Sequence, residues 1–195
     1  MEDKINEEFW DSNWQTGQTG WDIGYPSPAI IDYVDRNVNK SSSILIPGCG
    51  NAYEAEYLAN NNFQDITLID ISKTAVNNLK SKFKKYPNVN IIHSDFFKHK
   101  GQYDIIIEQT FFCALNPELR NDYAKQMSKL LKPTGNLFGL LFKIEFEKEG
   151  PPFGGSESEY RRTFEPYFNI LEMEDCNNSI PKRFGNELFF KLGLK

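Results

Sequence analysis

Apolar runs recur along the first 142 residues, each separated from the next by a helix-like segment. SILI (Ser43–Ile46), DITLIDI (Asp65–Ile71), NVNII (Asn88–Ile92), YDIIIEQ (Tyr103–Gln109) and NLFGLLF (Asn136–Phe142) read as strands. Between them, Ala52, Ala55, Leu58 and Ala59 fall on one helical face, as do Ala75, Val76, Leu79 and Phe83. Leu119, Tyr123, Met127, Leu130 and Leu131 give a third stripe. Strands that are apolar throughout and alternate with helices predict an α/β fold: a mostly parallel, Rossmann-like sheet with helices on both faces.

Local signals predict where these elements begin and end. Asn51, with Glu54 three residues on, reads as a capping box, and Ser72 as the cap of the next helix. Asn116-Pro117-Glu118 supplies a cap, a first-turn proline and an acid for a third helix. Pro133-Thr134-Gly135 is expected to end that helix. After Gly150 the pattern changes. PPFGG is a loop and Ser156–Phe164 a short helix. FNILEM (Phe168–Met173) and LFFKLGL (Leu188–Leu194) have no helix between them, which suits an antiparallel pair at one end of the sheet.

At 195 residues the chain is read as one domain over residues 1–195, with residues 1–28 as an arm within it. The acidic start, MEDKINEEFWDSNW, lacks an apolar h-region, so no signal peptide is expected. No run is long enough for a membrane span. The net charge of −5 has no basic block behind it; Lys80, Lys82, Lys84 and Lys85 are read as a solvated helix face rather than a nucleic-acid patch. Three spaced cysteines (Cys49, Cys113, Cys176) argue for a reducing, cytoplasmic setting. The two histidines, His93 and His99, have no metal-ligand spacing.

Ligands of open α/β sheets sit beyond the carboxyl ends of the strands. There the first strand gives Pro47-Gly48-Cys49-Gly50, a turn whose glycines let a ligand approach the backbone. The second ends at Asp70, followed by Ile71, where a carboxylate can accept from both hydroxyls of a ribose. The third leads to Asp95-Phe96, an acid and an aromatic ring suited to an adenine. Singly each has a bland reading: a tight turn, a strand-end acid, a helix cap. Together they point to a nucleoside-bearing cofactor. A dinucleotide requires a third glycine, and Tyr53 stands in its place. S-adenosylmethionine has no phosphate and carries a sulfonium cation, which suits carboxylates and aromatic faces. Glu108 is one candidate carboxylate; the alternative is a strand-end acid facing water.

All three tryptophans (Trp10, Trp14, Trp21) lie within the first 21 residues. Trp10 and Trp14 share one face of a short helix, and Trp21 sits in the loop GWDIGYPSP. They read either as an arm packed on its own core or as an aromatic lid.

The succession FWDSNWQTGQTGWDIGYPSP, LIPGCGN, LIDIS, SDFF, YDIIIEQTFFCALNPELR, LLKPTGNL and GPPF resembles the thiopurine S-methyltransferase family, most of all its halide and thiol methyltransferase branch. The likeness runs from about Phe9 to the C-terminus. It implies the seven-stranded class I methyltransferase fold with an antiparallel last strand. It also implies S-adenosylmethionine contacts from Trp10, Trp14, Trp21, Gly48, Asp70, Asp95, Phe96 and Gln109, to which the turn adds Gly50 and the second strand Ile71. Two positions depart from that branch. Phe153 stands where tyrosine is usual, and Gln109 where tyrosine is frequent. Tyr25, Phe112 and Phe153 are the expected acceptor-binding residues. Phe111, Cys113 and Phe142 also lie in apolar stretches that read as pocket or core.

No acid or base is assigned to catalysis. The expected reaction is methyl transfer to a small soft nucleophile: a thiol, sulfide, thiopurine-like compound or halide. The rival readings are an oxygen or nitrogen acceptor, a binding module for S-adenosylmethionine and S-adenosylhomocysteine without chemistry, and, further off, a nicotinamide enzyme. A small-molecule substrate, no metal, and a monomer complete the expectation.

Overall fold

The computed structural model describes residues 5–148 and 150–195. The first four residues of the expected arm, and Glu149, lie outside the described residues. Seven strands form one sheet: β1 (Ser43–Pro47), β2 (Asp65–Asp70), β3 (Val89–His93), β4 (Tyr103–Gln109), β5 (Leu131–Phe142), β6 (Phe168–Asp175) and β7 (Glu187–Leu194). Their spatial order is β3-β2-β1-β4-β5-β7-β6. The first five are parallel, and β7 runs antiparallel between β5 and β6.

Among the described residues six α-helices accompany the sheet: α1 (Glu7–Thr16), α2 (Pro28–Asn37), α3 (Tyr53–Asn60), α4 (Lys73–Lys82), α5 (Arg120–Leu130) and α6 (Glu157–Phe164). β1 shows why the strands are apolar on both faces. Leu45 joins a core with Ile106, Tyr123 and Phe164, beneath α5 and α6. Its neighbours Ile44 and Ile46 join the opposite core with Val34, Leu58 and Leu79, beneath α2, α3 and α4. Alternate side chains of one strand thus fill two different cores.

Apart from shifts of a residue or two at strand ends and a 3-10 turn, Pro117–Leu119, ahead of α5, two local signals are realised differently from expectation. β5 begins at Leu131, paired with Tyr103, instead of at Asn136. The Pro133–Gly135 breaker sits within the strand's bounds, beside a register shift between Tyr103 and Ile105. Leu131 therefore belongs to the strand and not to the helical stripe. The second difference is at α3. Its cap is Ala52, in the left-handed region at φ 49° with no side-chain cap bond. Asn51 instead donates to Asp22 at 2.6 Å, and Glu54 accepts from the Ser27 amide at 2.9 Å. Tertiary partners from the arm and its following loop take both halves of the expected capping box.

Other signals are realised locally. Ser72 caps α4 through the Ala75 amide, and Asn116 accepts from Glu118 ahead of α5. In the lysine run, Lys80, Lys84 and Lys85 are exposed, but Lys82 bonds the Asn51 carbonyl and Glu56. Among the described residues no helix is long and apolar enough to cross a membrane, and no cluster of His, Cys, Asp or Glu is placed to hold a metal ion.

Candidate functional site

The carboxyl ends of β1, β2, β3 and β4 share one edge of the sheet. The turn after β1 passes through positive φ at Gly48 (56°) and Gly50 (51°), a region costly for side chains with a Cβ. The Cys49 amide donates to the Ile69 carbonyl, tying the turn to β2. Each glycine also lies under an aromatic ring. A Cβ on Gly48 would run into the Phe111 ring, and one on Gly50 would be 3.4 Å from Trp14 Cζ2.

Asp70 braces this turn against the next. Its Oδ2 accepts from the Gly50 amide at 3.0 Å and its Oδ1 from the Ser72 amide at 2.9 Å. The residue is 8% exposed. Burial pushes its carboxyl above the ordinary range, against the pull of the backbone N–H groups. Ile71, next along, uses its carbonyl to bind His93 Nε2 at 2.8 Å.

The arm lies over these turns, and polar groups hold it there. No side chain of α1 is buried. Asp11 Oδ1 accepts from Ser72 Oγ and from the Thr74 amide, both at 2.7 Å. Ser72 Oγ accepts in turn from the Ala75 amide, so one residue of the arm and one of the loop together satisfy two of the first-turn donors of α4. The Thr74 amide, then Ser72, holds the Asp11 carboxyl below its ordinary value. Glu7 reaches His93 at 3.2 Å, and Asp22 also accepts from the Tyr53 hydroxyl at 3.1 Å. Trp21 is the hub of the aromatic set. Trp10 and Trp14 both meet it edge-on, with centroids 5.4 and 5.9 Å away.

After β3, Asp95 accepts from the Phe97 amide at 2.9 Å and so caps the short Phe96–Lys98 turn. Phe96 is 4% exposed, its ring edge-on to Phe111 and Phe97. It is a core ring whose edge lies behind the glycine turn's aromatic cover, not an open stacking face. At the end of β4, Gln109 Oε1 is buried without a hydrogen-bond partner among the described residues.

Two expectations at this strand end are corrected. Glu108 neither faces water nor is free to meet a cation. It is fully buried; Oε1 accepts from the Phe111 and Phe112 amides, and Oε2 from the Tyr123 hydroxyl at 2.5 Å. Burial, opposed by these donors, moves its carboxyl up to about 7. Phe112, expected to line the acceptor pocket, is 1% exposed and packs on Tyr123, Tyr160 and Phe164. The amide bonds to Glu108 wind the chain into a 3-10 turn that rolls this ring into the core. Cys113 is buried beside it, its thiol pushed up to about 12 by burial and by Glu108.

Phe153 fares differently. Its amide donates to the Cys113 carbonyl at 2.7 Å, which fixes the GPPF loop against the turn after β4, and it remains half-buried. Phe142, at the end of β5, is half-buried against Phe146. Tyr25 is 44% exposed in the loop between α1 and α2. The structure thus gathers Trp10, Trp14, Trp21, Gly48, Gly50 and Asp70, with Ile71 and Asp95 on the adjoining loops and Gln109 at the end of β4. Sequence reasoning missed Asp11, Asp22 and Thr110. The acids lie in the FWDSNW and GWDIGYPSP stretches, but nothing local marks the distant groups they bond, and Thr110 gives no sign of its φ of 63°.

The buried, unpartnered Gln109 oxygen and the glycine cradle fit a polar ligand of nucleoside size. The sequence profile of the family described as Thiopurine S-methyltransferase (TPMT) matches residues 5–189. A probable thiol methyltransferase 2 of Arabidopsis thaliana is 36% identical over 190 residues, covering 94% of this chain and 82% of the relative. Thiocyanate methyltransferase 1 of Brassica oleracea is 30% identical, covering 99% and 86%. The 1,6-didemethyltoxoflavin-N1-methyltransferase of Burkholderia thailandensis, solved with S-adenosylhomocysteine bound, superposes with a TM-score of 0.81 at 14% identity, over 98% of this chain and 88% of the other. With the class I sheet, the glycine turn and the tryptophan arm in place, the chain belongs to the thiopurine S-methyltransferase family and is an S-adenosylmethionine-dependent methyltransferase.

Proposed function

We propose that the protein methylates a small soft nucleophile, a thiol, sulfide, thiopurine-like compound or halide, at the carboxyl ends of β1 and β4. The observation that carries this reading is the commitment of the titratable groups at that edge. Both oxygens of Glu108 are engaged, and Cys113 is held as a neutral thiol. His93 is bound to Ile71 and Glu7, and His99 to Tyr103 at the opposite end of β4. Among the described residues, neither Glu108 nor Cys113 is free to serve as a general base, which favours acceptors that need none.

S-adenosylmethionine supplies the methyl group and leaves as a neutral thioether, which needs no acid. The acceptor decides the rest. Ionising a thiol of pKa ~8.5 at pH 7 costs about 2 kcal/mol, and a phenol near ~10 about 4 kcal/mol. A halide costs nothing. Holding two reactants in line supplies roughly 7–11 kcal/mol. Soft nucleophiles therefore ask least of positioning and water exclusion, and harder ones ask more. In this reading Asp70 takes the ribose hydroxyls on its remaining lone pairs. The Gly48–Gly50 backbone and Asp95 hold the flanking parts, with Gln109 Oε1 accepting at the β4 end. The arm tryptophans cover the bound cofactor. Phe153 and Tyr25 border the acceptor; Phe112 and Phe96 support from the core.

Headspace gas chromatography of the purified protein with S-adenosylmethionine, offering sulfide, thiocyanate and iodide in turn, tests the reading. A methylated volatile well above that made by a Trp14→Ala, Asp70→Ala control supports it. Silence with all three, with S-adenosylhomocysteine still bound, would overturn the choice of these small acceptors in favour of a larger one or of a non-catalytic binder.

A further inference from the structure

Arg183 lies in the connection between β6 and β7, its side chain 13% exposed. Nη2 donates to the Trp21 carbonyl at 3.2 Å. Nη1 donates to Thr110 Oγ1 at 3.3 Å and to Glu187 Oε1 at 3.2 Å. The guanidinium carbon stands 5.1 Å from the Phe142 ring centre. One rigid fork therefore touches the arm, the turn after β4, the end of β5 and the start of β7.

What hangs on its two outer partners is specific. Trp21 is the residue on which Trp10 and Trp14 both rest, and Trp14 covers Gly50. Thr110, in the left-handed region at φ 63°, directly precedes Phe111, whose ring covers Gly48. The carriers of the two rings over the glycine turn are each bonded to the same guanidinium. Neutralising Glu187, which is 3% exposed, accounts for one of these bonds. It does not account for the reach of Nη2 to a carbonyl 162 residues away in sequence.

We propose that Arg183 is a positioning residue that couples the arm to the turn after β4, so that Trp14 and Phe111 close on the Gly48–Gly50 turn as one unit. The proposal rests on the reading of the arm as the cofactor's cover. It assigns Arg183 no contact with cofactor or acceptor.

The test uses a feature of the chain: its three tryptophans are all in the arm, so selectively excited tryptophan fluorescence reports the arm alone. Arg183→Lys, Arg183→Met and the double variant Arg183→Met, Glu187→Gln are compared with wild type; the double variant avoids a buried carboxylate without a partner. Acrylamide quenching reads the arm, circular dichroism melting reads the fold, and titration calorimetry with S-adenosylhomocysteine reads the site. The expected result is at least a doubled quenching constant and about tenfold weaker binding in both Met variants, with the fold retained. The Lys variant, which keeps the charge but not the fork, should fall between. Wild-type quenching and affinity in the folded double variant would overturn the proposal and reduce Arg183 to a counter-ion. Increased quenching with wild-type affinity would overturn the coupling. A wild-type protein that gave no binding heat would overturn the reading of the site, while the quenching comparison would still decide whether Arg183 holds the arm.

Discussion

The Trp14 ring lies against Gly50, with Cζ2 3.4 Å from where a Cβ on that glycine would stand. A half-buried residue of α1, a helix without buried side chains, thus rests on a backbone position held at φ 51°. Trp14→Ala should weaken S-adenosylhomocysteine binding more than tenfold while the domain stays folded. Gly50→Ala should cost of order 1 kcal/mol in backbone strain and a similar factor in binding. Unchanged affinity by calorimetry in Trp14→Ala would sink the covering role.

Asp70 faces two demands, since its oxygens already accept from Gly50 and Ser72. Asp70→Ala should therefore lose both binding and melting temperature. Asp70→Asn keeps one carbonyl oxygen and should retain more of the fold than of the affinity. Equal losses of both in the Asn variant would mark the residue as a brace alone.

The Glu108 carboxyl sets a pH dependence of stability. Its native value of about 7 lies above the ordinary 4.5, so the native state holds a proton that the unfolded chain releases between those values. The stabilisation is complete below pH 4.5 and is lost as pH rises through about 7, by roughly 3 kcal/mol in all. Urea titrations across this range should show that decline in wild type. Glu108→Gln should flatten it, and a decline of the same size in the variant would assign it to another group.

Asp11 serves α4 from outside it. Asp11→Ala removes the acceptor of the Thr74 amide and should cost about 0.5–2 kcal/mol, the usual range for a lost cap. Because the same bonds hold α1, tryptophan emission should shift to the red before any change in far-ultraviolet dichroism. An emission spectrum identical to wild type would show the arm held without it.

Cysteine chemistry offers a check on the core. Burial raises the Cys49 and Cys113 thiols, and Cys176 is 4% exposed. A disulfide reagent at mild alkaline pH should leave all three slow in the native protein and fast in urea. Rapid native labelling of Cys113 would contradict its place behind the β4 turn.

Much of this arrangement is legible in the sequence because it is written in local terms. A strand buried on both faces must be apolar at every position, so β1, β2 and β4 announce themselves. The glycines after β1 and the acid at the end of β2 are legible as well, because each is a local feature of a strand end. What escaped depends on partners distant along the chain. Asn51 and Glu54 spell a capping box, yet Asp22 and Ser27 claim them. Pro133–Gly135 reads as a terminator, but pairing with β4 carries β5 past it to Leu131. Phe112 and Phe153 are equally aromatic; only the amide bonds to Glu108 decide that the first turns inward. The bonds of Arg183 have no sequence signature.

The arm's attachments also order its assembly on the ribosome. Its residues are synthesised first, but the acceptors and donors that hold it lie near positions 51, 72–74 and 183. A nascent chain therefore lacks the last of these bonds, from Arg183 to the Trp21 carbonyl, until the β6–β7 connection emerges, and β6 has no partner until β7 follows. The strand ends of β1 to β4 are made early, but the arm that lies over them gains its bond to Arg183 last, and a chain truncated before residue 183 would lack that bond.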